Sequence, residues 1–286
     1  MEIRPLEGLA GLAFGRSRWS VREAWGTPEP FRRAAYSPVL TDAYVRQGLM
    51  LNYDERDLLH SVEVASPAPV GLRGVGLTGR DHRIVLAELR AAGVTPVEVD
   101  KEWVLPELGI ALGRPRQDTP EDFESVLVSS RPHVDYAISF FEGQAGAPLP
   151  EEFQVVPHAG FGPVRTGLAR QELRELLGAG MASVPDVGPA AQDNFFAGGI
   201  VVGYDESGHA RRVVITGPAR VTYQGMELLG RPLGEIVAAA RERGLPVRPE
   251  EAALRFPEAG FSVWTARAGD DSLPSVAVAV VPEPAG

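Results

Sequence analysis

Apolar positions along the chain alternate between two periods. Val21, Ala24 and Trp25 fall at i, i+3 and i+4, and Leu173, Leu176 and Leu177 repeat that spacing. Each set predicts one buried face of a short helix. Ser17 or Ser20 supplies an N-cap for the first. Val85, Leu86 and Leu89 form a third such face, closed by Gly93 at a helix C-terminus. Between the helical segments the period drops to two. Leu49, Leu51 and Tyr53 alternate with polar or small residues, as a half-buried strand does. The acidic stretches Asp54 to Asp57 and Asp205-Glu206-Ser207-Gly208 follow these strands and read as hairpin turns.

The pattern recurs. Displacing the sequence on itself by 151 residues sets Asp42 on Asp193, Gly48 on Gly199 and Tyr53-Asp54-Glu55 on Tyr204-Asp205-Glu206. It also sets Gly79-Arg80 on Gly230-Arg231, Gly93 on Gly244 and Gly109 on Gly260. One residue of slippage adds Val21-Arg22-Glu23 over Leu173-Arg174-Glu175. Such a register marks an internal duplication. Each half divides again: Gly15-Arg16 and Gly79-Arg80 both open a helical segment followed by a glycine-led strand, Gly48-Leu49 and Gly109-Ile110. The expected fold is therefore α+β. Two homologous domains, residues 1–130 and 161–286, each hold two units of a helix followed by three antiparallel strands (αβββ). Residues 131–160 have no counterpart, and Pro132, Gly143, Gly146, Pro148, Pro150 and Pro157 mark them as a connector. Val134, Tyr136, Ile138 and Phe140 alternate and predict one strand within it.

Composition narrows the function classes. The 28 basic and 38 acidic residues leave a formal charge of −10, which argues against general nucleic-acid binding by phosphate neutralisation. The chain has no cysteine, so disulfides, thiolate metal sites and a cysteine nucleophile are excluded. No stretch approaches the ~18 uninterrupted apolar residues of a spanning helix, and residues 1–14 lack the pattern of an export leader. The expectation is a cytoplasmic protein with no membrane partner.

Candidate chemistry is sparse. Gly74-Val75-Gly76-Leu77-Thr78-Gly79 fits G-x-G-x-x-G, a helical segment follows, and Asp100 lies about twenty residues on, the arrangement that holds a dinucleotide in a βαβ fold. The context opposes that reading. Ser66-Pro67-Ala68-Pro69 interrupts the strand that should lead into the first glycine, and the matched segment Tyr223-Gln224-Gly225-Met226-Glu227 lacks the glycines. A turn entering the next helix accounts for the motif, with Gly74, Gly76, Gly79 and Asp100 kept as an alternative cofactor site. His60, His82, His133, His158 and His209 show no metal-ligand spacing, and no G-x-S-x-G is present. Asp42 and Asp193 recur in both halves, which fits a structural role. No catalytic residue, cofactor or metal site is assigned. Trp19, Trp103 and Trp264 have no tryptophan at their matched positions and are the candidate partner-binding anchors.

The segment Gly15-Arg16-Ser17-Arg18-Trp19-Ser20-Val21-Arg22-Glu23-Ala24-Trp25-Gly26-Thr27-Pro28 joins a glycine, a polar cap, a short helix, a second glycine and a proline ahead of a small antiparallel sheet. It resembles the BamE and β-lactamase inhibitor protein superfamily, and the pattern recurs at Gly167 to Gly178. The resemblance implies a binding module. The chain departs from that superfamily in lacking the lipoprotein cysteine, the export signal and the inhibitor's disulfides. The function expected is a non-catalytic intracellular inhibitor or immunity-type protein that neutralises another, basic protein. The alternatives are a nucleotide-dependent enzyme using residues 74–79 and a small-molecule sensor binding between the halves.

Overall fold

The structure, a computed structural model, describes residues 1–99, 102–113, 122–131, 139–141, 150–183, 191–195, 198–217, 219–269 and 272–281. The chain divides into two compact units. Unit 1 comprises residues 1–30 and 38–135, and unit 2 comprises residues 31–37 and 136–286.

Unit 1 is built on an eight-stranded antiparallel sheet. Its order is Val97–Val99, Glu102–Leu105, Ile110–Leu112, Ser125–Ser129, Leu59–Ala65, Leu49–Tyr53, Thr41–Tyr44 and Glu29–Phe31. Two four-strand meanders thus meet at a central seam, where Val126 pairs with Val64 and Val128 with Val62. All four valines are fully buried, as are Leu51, Ile110 and Leu112 on the same face. Against that face pack helix α1 (Arg18–Trp25), through Val21, and helix α2 (His82–Ala91), through Val85, Leu86 and Leu89. Helix α1 starts where the Ser17 side chain accepts the Ser20 N–H, and α2 where Asp81 accepts the Arg83 N–H. Short hairpins precede the helices and complete the core with Leu9, Leu12, Leu72 and Val75.

Unit 2 repeats this plan. Its large sheet runs Arg248–Glu250, Ala253–Phe256, Phe261–Thr265, Ser275–Val280, Ala210–Thr216, Ile200–Tyr204, Gln192–Phe195 and Gly180–Ser183, with Ser139–Phe141 added at the last edge. Strands Leu49–Tyr53 and Leu59–Ala65 find their counterparts, in the same places, 151 residues on. Helices α3 (Arg170–Leu177) and α4 (Leu233–Glu242) take the roles of α1 and α2.

The expected α+β class of αβββ units is corrected by this architecture. The protein is mostly β, 44% strand against 18% helical, with five sheets and four α-helices among the described residues. The expectation erred for two physical reasons. Each helix spans only 8 or 10 residues, whereas the meanders fuse edge to edge into continuous sheets. Each helix is also preceded by a small hairpin and followed by four strands, not three. The extra strand after α1, Glu29–Phe31, contains Pro30 and reads in sequence as a break. Two-residue strands such as Gly8–Leu9 carry no period at all. Of the strand expected in the connector, Val134, Tyr136 and Ile138 lie outside the described residues; Ser139–Phe141 is an edge strand, and Glu152–Val156 pairs in parallel with Arg220–Tyr223.

Candidate functional site

The recurrent aspartates sit at the centre of two matched polar clusters. In unit 1, Arg18 and Arg22 lie one turn apart on α1 and converge on Asp42, whose side chain is completely buried. Arg18 Nη1 donates to Asp42 Oδ1 at 2.9 Å, while Arg22 donates through Nε to Oδ2 at 2.8 Å and through Nη2 to Oδ1 at 2.6 Å. Arg18 also reaches Asp57 Oδ1 and the Leu40 carbonyl, both at 2.9 Å, and its guanidinium lies 4.1 Å from the Tyr53 ring centroid. Unit 2 builds the same clamp from Arg170, Arg174 and Asp193. There the Tyr204 hydroxyl donates to Asp193 Oδ2 at 3.1 Å, whereas the Tyr53 hydroxyl is buried without a hydrogen bond.

Electrostatics follow from this geometry. Burial pushes the Asp193 carboxyl up, but hydrogen bonds and charge from Arg170 and Arg174 outweigh it and hold the group below the ordinary carboxylate range. Burial, with Asp193 alongside, raises Tyr204 above the ordinary phenol range, and burial with Asp42 does the same to Tyr53. Both oxygens of each aspartate are occupied by guanidinium donors. The clamps therefore tie helix to sheet around carboxylates that are completely buried. Among the described residues, no group of three His, Asp or Glu side chains is arranged to hold a metal ion.

The glycine-rich segment is a hairpin. Gly71 pairs with Gly76 and Leu72 with Val75 across a turn in which Arg73 and Gly74 both have positive φ, 51° and 80°. The matched turn uses Gln224 and Gly225 in the same conformations. The Gly79 N–H, which a phosphate would need, donates to the Asp122 carboxylate at 3.0 Å, and the Gly76 carbonyl accepts from Arg80. A carboxylate at that point repels an anion. Asp100 lies outside the described residues.

The three candidate tryptophans have different surroundings. Trp19 stands on α1 with 71% of its surface exposed. Trp103 is half-buried in an aromatic cluster, 5.6 Å from His82 and 5.7 Å from Phe123 between ring centroids. Trp264, 6% exposed, lies beneath the guanidinium of Arg32 at 4.3 Å. His60 is half-buried on a strand, and His209 occupies the turn where Ser207 Oγ meets its Nδ1 at 2.9 Å. His133 lies outside the described residues. A cleft of about 220 Å³ beside the first hairpins is lined by Arg4, Glu7, Leu9, Leu12 and Arg16.

Sequence reasoning found the clamp aspartates but not their partners. The signal was present: arginines at i and i+4 on both α1 and α3, in register with the recurrent aspartate. It did not find Arg32, which has no counterpart in the repeat and whose receiving residues lie more than 200 positions away. Comparison with protein-family models, curated proteins and solved structures yields no match.

Proposed function

We propose that the chain is a non-catalytic binding module that neutralises a basic partner protein in the cytoplasm, an inhibitor or immunity-type protein. The observation that carries this reading is Trp19. A tryptophan 71% exposed on a helix, where the duplicate helix has Gln171, stands out from a chain of net charge −10. Aromatic side chains of this kind dominate binding energy when a partner buries them, and a negative surface steers a basic partner. No helix among the described residues is long and apolar enough to cross a membrane.

Affinity capture from the native host tests the proposal. A basic protein is expected to bind with an association rate that falls steeply with salt. Trp19→Ala is expected to weaken it roughly 30-fold, about 2 kcal/mol, without changing the melting temperature. Capture that fails, or capture unaffected by both salt and Trp19→Ala, removes the reading.

A further inference from the structure

Residues 31–37 belong to unit 2 although they interrupt the sequence of unit 1. They form a compact turn: Ser37 N–H donates to the Ala34 carbonyl at 2.9 Å, and Ala34 N–H returns to Ser37 Oγ at 3.2 Å. The turn lies on the face of the unit 2 sheet opposite the main core. There Val201, Val214, Ala253, Trp264, Ala277 and Ala279 form a second apolar cluster, with Tyr36 packed on it. Backbone pairing sets the register, with Arg32 N–H on the Ala266 carbonyl at 2.8 Å and Phe31 opposite Arg267.

Arg32 is the anchor, with 8% of its surface exposed. Its guanidinium stacks 4.3 Å from the Trp264 ring centroid. Its Nε donates to the Thr265 carbonyl at 3.1 Å and its Nη2 to the Ala252 carbonyl at 3.5 Å. Within the turn, Nη1 donates to the Ser37 carbonyl at 2.6 Å.

The surface receiving this side chain is shaped for it. A register shift between Trp264 and Thr265 breaks the ladder where the Thr265 carbonyl turns to the guanidinium. Such bulges re-aim groups beside binding sites. Ala252 adopts a positive φ of 55°, uncommon for a residue with a Cβ, and presents its carbonyl to the same group. Gly113 occupies the position in unit 1 that Trp264 occupies in unit 2. The aromatic floor is thus missing at the matched position of unit 1. A planar cation that stacks and donates in a fork matches arginine and not lysine.

We propose that the outer face of the unit 2 sheet is a receptor for an extended, arginine-bearing segment of a partner protein, and that residues 31–37 occupy it in cis as an exchangeable strap. The identity of the incoming segment rests on the protein-binding reading above; the receptor itself is testable with no partner.

The experiment uses the full chain and a fluorescent peptide copying residues 29–39. Arg32→Ala frees the Trp264 face and the Thr265 and Ala252 carbonyls, and leaves the strap held only by its backbone pairing and Tyr36. The peptide is expected to bind this variant at least ten-fold more tightly than the wild type, and to lose at least ten-fold when its own arginine at position 32 is alanine. Equal binding to both proteins, or equal binding of both peptides, overturns the proposal. Arg32→Met, which keeps the aliphatic stem, replaces Arg32→Ala if that variant does not melt cooperatively. A further readout needs no variant: excess peptide should accelerate hydrogen exchange at the Arg32 amide of the wild type, and an unchanged rate at saturating peptide counts against exchange. Failure to capture a basic protein removes the function proposed above and leaves these peptide outcomes to decide the receptor.

Discussion

His60 shows how one side chain sets a pH limit on the fold. It lies half-buried on the strand Leu59–Ala65, with Asp54 and Arg131 as its charged neighbours. Burial lowers its pKa from 6.5 to about 4, with Arg131 adding to that fall and Asp54 opposing it. The unfolded chain therefore binds a proton near pH 6.5 that the folded chain refuses until about pH 4. Stability is whole above pH 6.5 and declines as the pH falls through that window, with a slope approaching about 1.4 kcal/mol per pH unit. Residual exposure of the ring reduces the total to about 2 kcal/mol. Urea midpoints measured from pH 7 to 4 should fall further for the wild type than for His60→Leu. Parallel curves would assign the acid sensitivity to another group.

At the scale of elements, the helices differ in what holds them. Helices α1 and α3 bury few apolar side chains and are fastened by the clamps on Asp42 and Asp193. Helix α2 buries Val85, Leu86 and Leu89 and needs no clamp; its Arg80–Glu88 pair is exposed. Asp193→Ala leaves two guanidiniums without their counter-charge, each still partly open to water. The cost should be about 3 kcal/mol, the low end for a buried pair broken on one side. Exchange of α3 amides should accelerate with it, while Glu88→Ala leaves the melting temperature nearly unchanged. An Asp193→Ala protein as stable as wild type would show that α3 is held by packing alone.

Over the whole molecule, the duplication was legible because its markers are residues that geometry demands. Gly109 and Gly260 both have φ near 65°, and a Cβ at Gly109 would approach the Ser129 carbonyl oxygen to 2.8 Å. Asp42 and Asp193 recur because each pairs with two buried or half-buried arginines. The candidate site was far less legible. Trp19 and Trp264 look alike in a sequence, yet one faces water and the other lies under Arg32. That difference arises from a turn on residues 31–37 meeting a strand some 230 residues later, a long-range contact that no local period encodes.

The seam at the middle of each large sheet bears on how fast the protein folds. Strands within a meander pair residues only 3 to 19 positions apart, as Val99 with Glu102 and Phe261 with Val280. Across the unit 1 seam the partners are separated by 60 to 68 positions, from Ser125–Ala65 to Ser129–Ser61. Closing so long a loop costs chain entropy before any contact repays it. The meanders should therefore form first, and bringing their central strands together should be the rate-limiting step, with the seam contacts still largely unmade at the barrier. Val126→Ala, costing about 2 kcal/mol, should then speed unfolding about 30-fold and hardly alter refolding. Leu51→Ala, inside a meander, should slow refolding instead. Stopped-flow measurements on the two variants would reveal the opposite order if the central valines assemble first, and the sheet would then grow outward from its middle.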